Sequence, residues 1–557
     1  MEQLLWLLVL CTGLFGCTKA SPPPNIVLIM ADDVDFQHWG CYGGDLPTPG
    51  IDRLAEEGML FDRVYTTAAA CTPSRYSVMT GKYPGRCQHP DFITQNPSGQ
   101  PYTVAWNTPI READTTLHEV LGAAGYFTGY VGKFHIGSLD FDLREHNAAI
   151  PDFPPGLELD SPQADRLLGQ YQEVLQEQVK ALTGADFASS ILWENSEELP
   201  VPALRHHHLE WILQGGLRFL EAARGQGQPF FLHFNTTALH GPNHYVDLKE
   251  AAHFSPEGRL DTANIPMPER AAYFRQLDSL GVEHGAEVPD HVNHYNAGIL
   301  YLDAQIQVLL EALDAKGMTE QTVVILTADH NIEPGKSTVY EKGLRVPFVL
   351  RWPGQVTPGS RNDLRMSFVD LLPTLAGLSG RSTTGVATDG LDFSKALSGE
   401  QPELQHPYIY AEEGYTRALS DGRWKYIAMR FPDTLIGRLQ SGAQTEITHL
   451  GEPIHAFGYI AQAYYPGYFA ADQLYDLAAD PYEQNNLAHD PVYTDTLRQM
   501  QAALQARVNT FGYPFDLADT AFVQLPAYQA AAAAVRKRGP GFIPWWNRTL
   551  DFPPVKH

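Results

Sequence analysis

Positive charge is scarce in this chain. Lys and Arg number 39 against 65 Asp and Glu, for a formal net charge of −26. Such a surface repels nucleic acid and anionic membranes, which are excluded as main partners. An anionic substrate is not excluded, because a local pocket of Arg, Lys and His can oppose the global field. Cysteine is scarcer still, with five in 557 residues. Cys11 and Cys17 fall in a leader, which leaves Cys41, Cys71 and Cys87, too few for a disulfide framework. A Cys41–Cys87 bridge and two ordinary buried thiols both remain open. Beyond the first residues no run is long and apolar enough to span a bilayer, and there is no internal repeat. The length suffices for a large core and more than one domain.

The N-terminus reads MEQLLWLLVLCTGLFG. Its apolar stretch, Leu4 to Phe15, is too short to span and suits the core of a signal peptide. Leu14-Phe15-Gly16-Cys17 resembles a bacterial lipobox, which would make Cys17 the lipidated first residue of the mature chain and a membrane attachment. The leader departs from the usual pattern in carrying Glu2 and no Lys or Arg; the alternative is ordinary cleavage near Ala20-Ser21. Both imply export, to the periplasm or as an outer-membrane lipoprotein of a bacterium.

Asn25 to Ala31 is a continuous apolar run ending in Asp32-Asp33, and such runs mark strands buried on both faces of a parallel sheet. Phe230 to Phe234 and Thr322 to Thr327 repeat the pattern, the latter ending in Asp329-His330. Helical patterns lie between, at Thr115–Ala124, His208–Ala223 and Asn296–Leu313. The alternation predicts an α/β fold with a large, mostly parallel sheet between helices, and ligands in such sheets bind beyond the carboxyl ends of the strands. A helix and turn at 367–397 close a first domain, 22–398, behind the signal at 1–17. Short strands at Tyr408–Glu412, Arg417–Leu419 and Arg423–Met429, followed by a helix at 494–508, predict a smaller antiparallel subdomain over 399–520. Residues 521–557, with a short Ala-rich helix at 530–534 and with Trp545 and Trp546, form a tail expected to pack on the surface.

Cys71-Thr72-Pro73-Ser74-Arg75 reads as a nucleophile at the start of a helix. Pro73 is tolerated in a first turn, backbone N–H groups there favour an anion, and Arg75 adds a planar charge suited to an oxyanion. The competing view is a small core cysteine. Asp32, Asp33 and Asp329 leave strand ends that one sheet can bring together, and hard divalent cations want such oxygens; taken singly, each would be a cap or turn residue. Lys133 and His135 lie two apart on an extended segment, which points them the same way; singly they would be a snorkelling Lys and a satisfied His. His240 follows the strand at 230–234, and Lys336 follows Asp329-His330 within a short loop. His206-His207-His208 reads as a solvated helix start rather than a metal cluster.

The order Asp-Asp, Cys-x-Pro-Ser-Arg, Gly-Lys-x-His, His-x-Pro, Asp-His, Gly-Lys-x-Thr-x-Tyr-Glu and Arg-Val-Pro resembles the type I sulfatases of the alkaline phosphatase superfamily, over about residues 25–488. Leu474-Tyr475-Asp476-Leu477 with Asp480-Pro481 and Asn486-Leu487 is similar to that family's C-terminal signature. The resemblance implies an alkaline phosphatase-like fold and hydrolysis of sulfate esters. It implies that a maturing enzyme oxidises Cys71 to Cα-formylglycine, whose hydrate is the nucleophile. It further implies calcium held by Asp32, Asp33, Asp329, His330 and the modified Cys71, with Arg75 on the hydrate, Lys133 and Lys336 on sulfate oxygens, His135 beside the nucleophile and His240 beside the leaving oxygen. Many relatives carry Asn where this chain has His330, and no serine matches the one some relatives use near the sulfate.

An exported protein with these motifs is expected to act on a sulfated carbohydrate in polysaccharide degradation. Residues 141–205 and 243–292 are long insertions expected to shape sugar subsites, as is the aromatic stretch 430–470; His244, Arg270 and Arg275 are candidate subsite residues. A phosphonate or phosphate monoester hydrolase of the same superfamily and a lipoprotein that binds sulfated glycan without cleaving it are the alternatives.

Overall fold

The computed structural model describes residues 22–34, 36–138, 151–241, 248–249, 253–260, 262, 265–281, 294–332, 334–381, 385–398, 404–451 and 461–542. Cys17, His244, Trp545 and Trp546 lie outside them. Its main sheet is built from β1 (Asn25–Ala31), β2 (Met59–Tyr65), β3 (Phe127–Lys133), β4 (Phe187–Leu192), β5 (Phe230–Asn235), β8 (Thr322–Ala328), β9 (Arg345–Val346), β10 (Phe348–Arg351) and β11 (Ser360–Ser367). The two-residue strands β6 (Phe254–Ser255) and β7 (Gly258–Arg259) form a separate hairpin. The order across the sheet is β11-β2-β10-β8-β1-β5-β3-β4, with β9 beside β2. The pairs from β8 through β1, β5 and β3 to β4 are all parallel, whereas β10 runs antiparallel between β8 and β2.

Continuous apolar sequence explains the central strands. Val27, Ile29, Leu232, Phe234, Val324 and Leu326 pack into the core on one face. Ile26, Leu28, Met30, Phe231, Val323 and Ile325 pack on the other, as the two-residue period requires. On the first face lies the helix His294–Ala315, whose Ile299, Leu302, Ile306, Leu309, Leu310 and Leu313 are all fully buried, each worth about 1.5–3 kcal/mol relative to exposure.

Two segments differ from expectation. Part of the 141–205 insertion is core architecture: Pro162–Thr183 is a helix with Pro162 in its first turn, a Ser161 side-chain cap and a left-handed Gly184 at its end, and it returns the chain to β4 at the sheet edge. The helix expected at 530–534 is part of a longer one, Pro526–Phe542.

The C-terminal sheet is four-stranded and antiparallel: β12 (Ile409–Glu413), β13 (Thr416–Ser420), β14 (Trp424–Met429) and β15 (Asp472–Asp476). The Leu474-Tyr475-Asp476 signature thus supplies its fourth strand. The sheet is tied to the segments around the main sheet by polar contacts. Lys425 pairs with Glu341 at 3.0 Å and Glu483 at 2.8 Å, Arg417 donates to the Tyr102 carbonyl at 2.6 Å, and the Glu412 N–H donates to the Thr67 carbonyl at 2.9 Å. Cys41, Cys71 and Cys87 are free thiols, so no Cys41–Cys87 bridge forms. Among the described residues no helix is long and apolar enough to cross a membrane.

Candidate active site

Four parallel strands end at one edge and deliver the expected residues together. Asp32 and Asp33 follow β1, Asp329 and His330 follow β8, Lys133 ends β3 and Asn235 ends β5. Against this edge stands the helix Cys71–Thr80, every residue of which is buried. Ala70 before it is extended and offers no side-chain cap, so the first turn leaves backbone donors for an anion. Ser74 pins the helix to the sheet, its hydroxyl donating to the Asp329 carbonyl at 2.5 Å and accepting from Thr66 at 2.8 Å.

Arg75, one turn after Cys71, is the hub. Its Nε donates to Asp329 Oδ2 at 3.1 Å, Nη1 to Asn235 Oδ1 at 3.0 Å, and Nη2 lies 3.0 Å from Asp329 Oδ2 and 3.3 Å from Asp32 Oδ1. Lys133 Nζ meets Asp32 Oδ2 at 2.6 Å and Lys336 Nζ meets Asp33 Oδ2 at 2.5 Å. Three buried carboxylates are thereby balanced by three buried cations, the only form in which so many charges can leave water. Burial pushes the Asp32 carboxyl up, but Lys133, His240 and Arg75 together hold it well below the usual carboxylate range. Asp33 is lowered to about 2, Lys336 and the two histidines outweighing burial. Asp329 is raised, by burial and then by Asp32.

Oxygens of Asp32, Asp33 and Asp329 lie within 4.8 Å of one another, as do ligand atoms of Cys71, Asp329 and His330. Three carboxylates fit a hard divalent cation. His330 Nδ1 donates to the Asn331 carbonyl at 2.8 Å. That bond turns Nε2 to the cluster, 3.2 Å from Asp33 Oδ1 and 3.4 Å from Cys71 Sγ, where it could serve as a metal ligand. A bound dication would make this balanced pocket positive, the sign an anionic ester needs. Burial raises the Cys71 thiol well above its ordinary range despite Lys133 and Lys336, so the residue as encoded is a protonated thiol and a poor nucleophile.

His135 reaches the site differently from expectation. Strand alternation does not align it with Lys133: its backbone turns left-handed, with φ 48°. Asp33 and Ser337 are left-handed too, at 56° and 60°, and such strain clusters where the surroundings over-determine a functional geometry. Gly132, φ 94°, precedes Lys133 on β3; a Cβ there would lie 1.8 Å from the Asn235 carbonyl oxygen, so only glycine lets β3 and β5 meet. His135 Nε2 is held by Glu194 at 3.0 Å, while Nδ1 has no partner among the described residues. Burial lowers His135 well below its ordinary value and, with Glu198, raises Glu194 to about 8. His240 Nδ1 donates to the Gly241 carbonyl at 2.8 Å, and Nε2 stands 3.8 Å from Asp33 Oδ2. Burial and Lys133 lower it to about 4 against the pull of Asp33 and Asp32; an anionic ester bound alongside would oppose that shift.

Two expectations are corrected. His206, His207 and His208 are buried, not solvated. Their nitrogens serve backbone and hydroxyl groups: His207 Nδ1 meets Thr237 Oγ1 at 2.9 Å, and His208 Nε2 meets the Leu204 carbonyl at 2.9 Å. Arg270 is no open subsite residue; it is buried in a two-bond pair with Glu210, at 2.9 and 2.8 Å. Arg275 is exposed, and its charged partner is Glu269 at 3.9 Å. Sequence reasoning missed Asn235 and Glu194. Placing Phe187–Leu192 beside β3 would have put Glu194 at this edge.

A sulfatase family model matches residues 24–381. Human arylsulfatase A is 30% identical over 547 residues, covering 91% of this chain and 92% of that protein. The N-acetylgalactosamine-6-O-sulfatase of Bacteroides thetaiotaomicron is 25% identical over 586 residues, covering 91% and 99%. The ulvan-active sulfatase of Formosa agariphila is 26% identical over 500 residues, covering 85% and 77%. Among solved structures, a sulfatase from the glycosaminoglycan metabolism of Bacteroides thetaiotaomicron superposes with a TM-score of 0.59 at 21% identity, over 88% of this chain and all of that one. The chain belongs to the sulfatase family, with the alkaline phosphatase-like fold. It is a sulfuric ester hydrolase.

Proposed function

We propose that this sulfatase removes sulfate from a sulfated carbohydrate, releasing inorganic sulfate, with Cys71 matured to formylglycine and calcium held by Asp32, Asp33, Asp329, His330 and that residue. The observation that carries the reading is the convergence of three carboxylates, Arg75, Lys133 and Lys336 around Cys71 in one buried pocket. Relatives named for N-acetylgalactosamine-6-O-sulfate and ulvan support a sugar substrate. So does a structural relative solved with D-glucosamine-2-N,6-O-disulfate, at TM-score 0.55 and 20% identity. Maturation would require a formylglycine-generating or sulfatase-maturing enzyme as partner. The leader supports export to the periplasm or outer membrane, with Cys17 as lipidation site.

Formylglycine at position 71 would supply a hydrated aldehyde with two hydroxyls, one as nucleophile and one whose proton loss would re-form the aldehyde C=O as the bond to the sulfate oxygen breaks, where a plain Ser or Cys would be trapped as an ester. Calcium, held by Asp32, Asp33, Asp329 and His330, would supply Lewis-acid chemistry for the sulfate group. The remaining work is positioning and charge, as in phosphoryl transfer. Lys133 and Lys336 present cations to the sulfuryl oxygens, and Arg75 fixes the nucleophile against the carboxylates. With Nε2 donating to a Glu194 carboxyl oxygen, His135 keeps its Nδ1 lone pair to take the second hydroxyl's proton. His240 protonates the departing alcohol.

Cys71→Ala is expected to lower kcat by about a thousandfold or more, with mass spectrometry of the wild-type peptide showing the aldehyde at position 71. Wild-type rates in protein that lacks the aldehyde would overturn the nucleophile. Paired rates on a sulfate and a phosphate of one alcohol separate this reading from a phosphate monoester hydrolase.

A further inference from the structure

The turn that presents His240 is held from behind by another imidazole. His207 is fully buried at the entry to the helix Leu209–Arg224. Its Nε2 lies 2.7 Å from the His240 carbonyl oxygen. A carbonyl can only accept, so Nε2 carries the proton. In the neutral ring Nδ1 is then the acceptor, and Thr237 Oγ1, 2.9 Å away, donates to it. The two ring nitrogens therefore bracket residues 237–240, the segment that places His240 Nε2 near Asp33. A third bond fixes the His207 backbone: Arg270 Nη2 donates to its carbonyl at 3.2 Å. Arg270 is itself locked by Glu210 and by Tyr301, whose hydroxyl accepts from Nη2 at 3.1 Å and donates to the Glu210 carboxylate. The Glu210, Arg270 and Tyr301 cluster thus ends on the His207 backbone, and the imidazole of that residue touches the backbone of the residue proposed to protonate the leaving group.

We infer that His207 is a positioning residue for the sulfatase reaction: by bracketing Thr237 and His240 it holds the His240 imidazole at the leaving-group oxygen. The inference rests on the acid role proposed for His240. An apolar side chain at position 207 would leave the His240 carbonyl and the Thr237 hydroxyl buried without this partner and let the turn relax. A shift near 1 Å in a reacting group costs on the order of a hundredfold in rate. The loss should appear only where the leaving group needs a proton. An amide can replace both contacts, with N–H toward the carbonyl and oxygen toward the hydroxyl.

The test measures kcat and KM for wild type, His207→Leu, His207→Gln and His240→Ala on substituted phenyl sulfates from 4-nitrophenyl to unsubstituted phenyl. His207→Leu is expected to lose about ten- to a hundredfold in kcat on phenyl sulfate and less than about threefold on 4-nitrophenyl sulfate, with KM little changed. It should steepen the dependence of rate on leaving-group pKa as His240→Ala does. His207→Gln is expected to recover most of the loss. A uniform loss across the series, or a Gln variant as poor as Leu while His240→Ala still steepens the dependence, overturns the positioning role. A flat dependence in His240→Ala overturns instead the acid role on which the inference rests. If the Leu variant fails to fold, the Gln variant combined with Thr237→Val carries the same comparison.

Discussion

Arg75 is the place where charge balance can be tested most directly. Arg75→Met keeps much of the buried stem and removes the cation. Asp32 would retain Lys133 at 2.6 Å. Among the described residues Asp329 would retain the backbone N–H groups of Asp33, at 3.1 Å, and His330, at 2.9 Å, with the His330 imidazole 4.0 Å away and the Asp32 carboxyl beside it. The cost therefore falls on Asp329. Breaking a buried pair by deleting one partner costs about 3–5 kcal/mol. Because burial and Asp32 already raise Asp329, this carboxyl can escape part of the penalty by taking up a proton, which places the expectation near about 3 kcal/mol. Arg75→Lys keeps the charge but not the fork. It should lose about 1–3 kcal/mol, through the acceptors on Asp329 and Asn235 that one ammonium cannot serve together. Guanidinium chloride unfolding in EDTA reads both losses, and excess calcium should narrow the gap between the Met variant and wild type, since a dication among the carboxylates replaces the missing charge. A Met variant that unfolds at the wild-type midpoint in EDTA, or Lys and Met variants that cannot be told apart, would refute the charge-balance argument.

Other outcomes follow from the same reasoning. His118 is buried and neither nitrogen has a partner among the described residues; burial lowers it to about 3, from an ordinary 6.5. The unfolded chain therefore binds a proton below pH 6.5 that the folded chain refuses until about pH 3, so stability falls as pH falls through that window, by up to about 1.4 kcal/mol per pH unit. His118→Leu should flatten the acid limb of unfolding free energy between pH 6 and 4.5 by about that slope, and unchanged slopes would exclude His118 as a contributor. Lys425→Met strands Glu341 and Glu483 at the seam between the two sheets and should lower the unfolding midpoint by about 3–5 kcal/mol equivalent. A double variant with Glu483→Gln should regain part of that loss, and no recovery would count against the pair.

The central strands were legible because a strand buried on both faces needs an apolar run: 25–31 and 322–328 carry one, and 230–234 is apolar but for His233. The carboxylates at their ends announced the site for the same reason: charge directly after such a run sits at the sheet edge. The outer strands were not legible. β2 carries Asp62 and Arg63 in its middle, and β11 is exposed at alternate positions over its first half, so neither shows the apolar signature. The buried histidines and Arg270 misled because local polarity suggests solvent. Their partners come from far along the chain: Thr237 lies 30 residues from His207, and Glu210 lies 60 from Arg270. Sequence spacing records neither distance.

The central strand carries a consequence for how the molecule is made. β1 is among the first described segments, yet its neighbours are β5 and β8; Asn25 waits 205 residues for Phe230 and 297 for Thr322. Until both arrive, a strand of Ile, Val, Leu and Met stands with two open edges, the species most prone to pair with another chain. Such long-range pairing is slow to close. No fragment ending before residue 329 can assemble the pocket, so proteolysis or a premature stop anywhere in the first three-fifths of the chain yields a sticky intermediate rather than a weak enzyme.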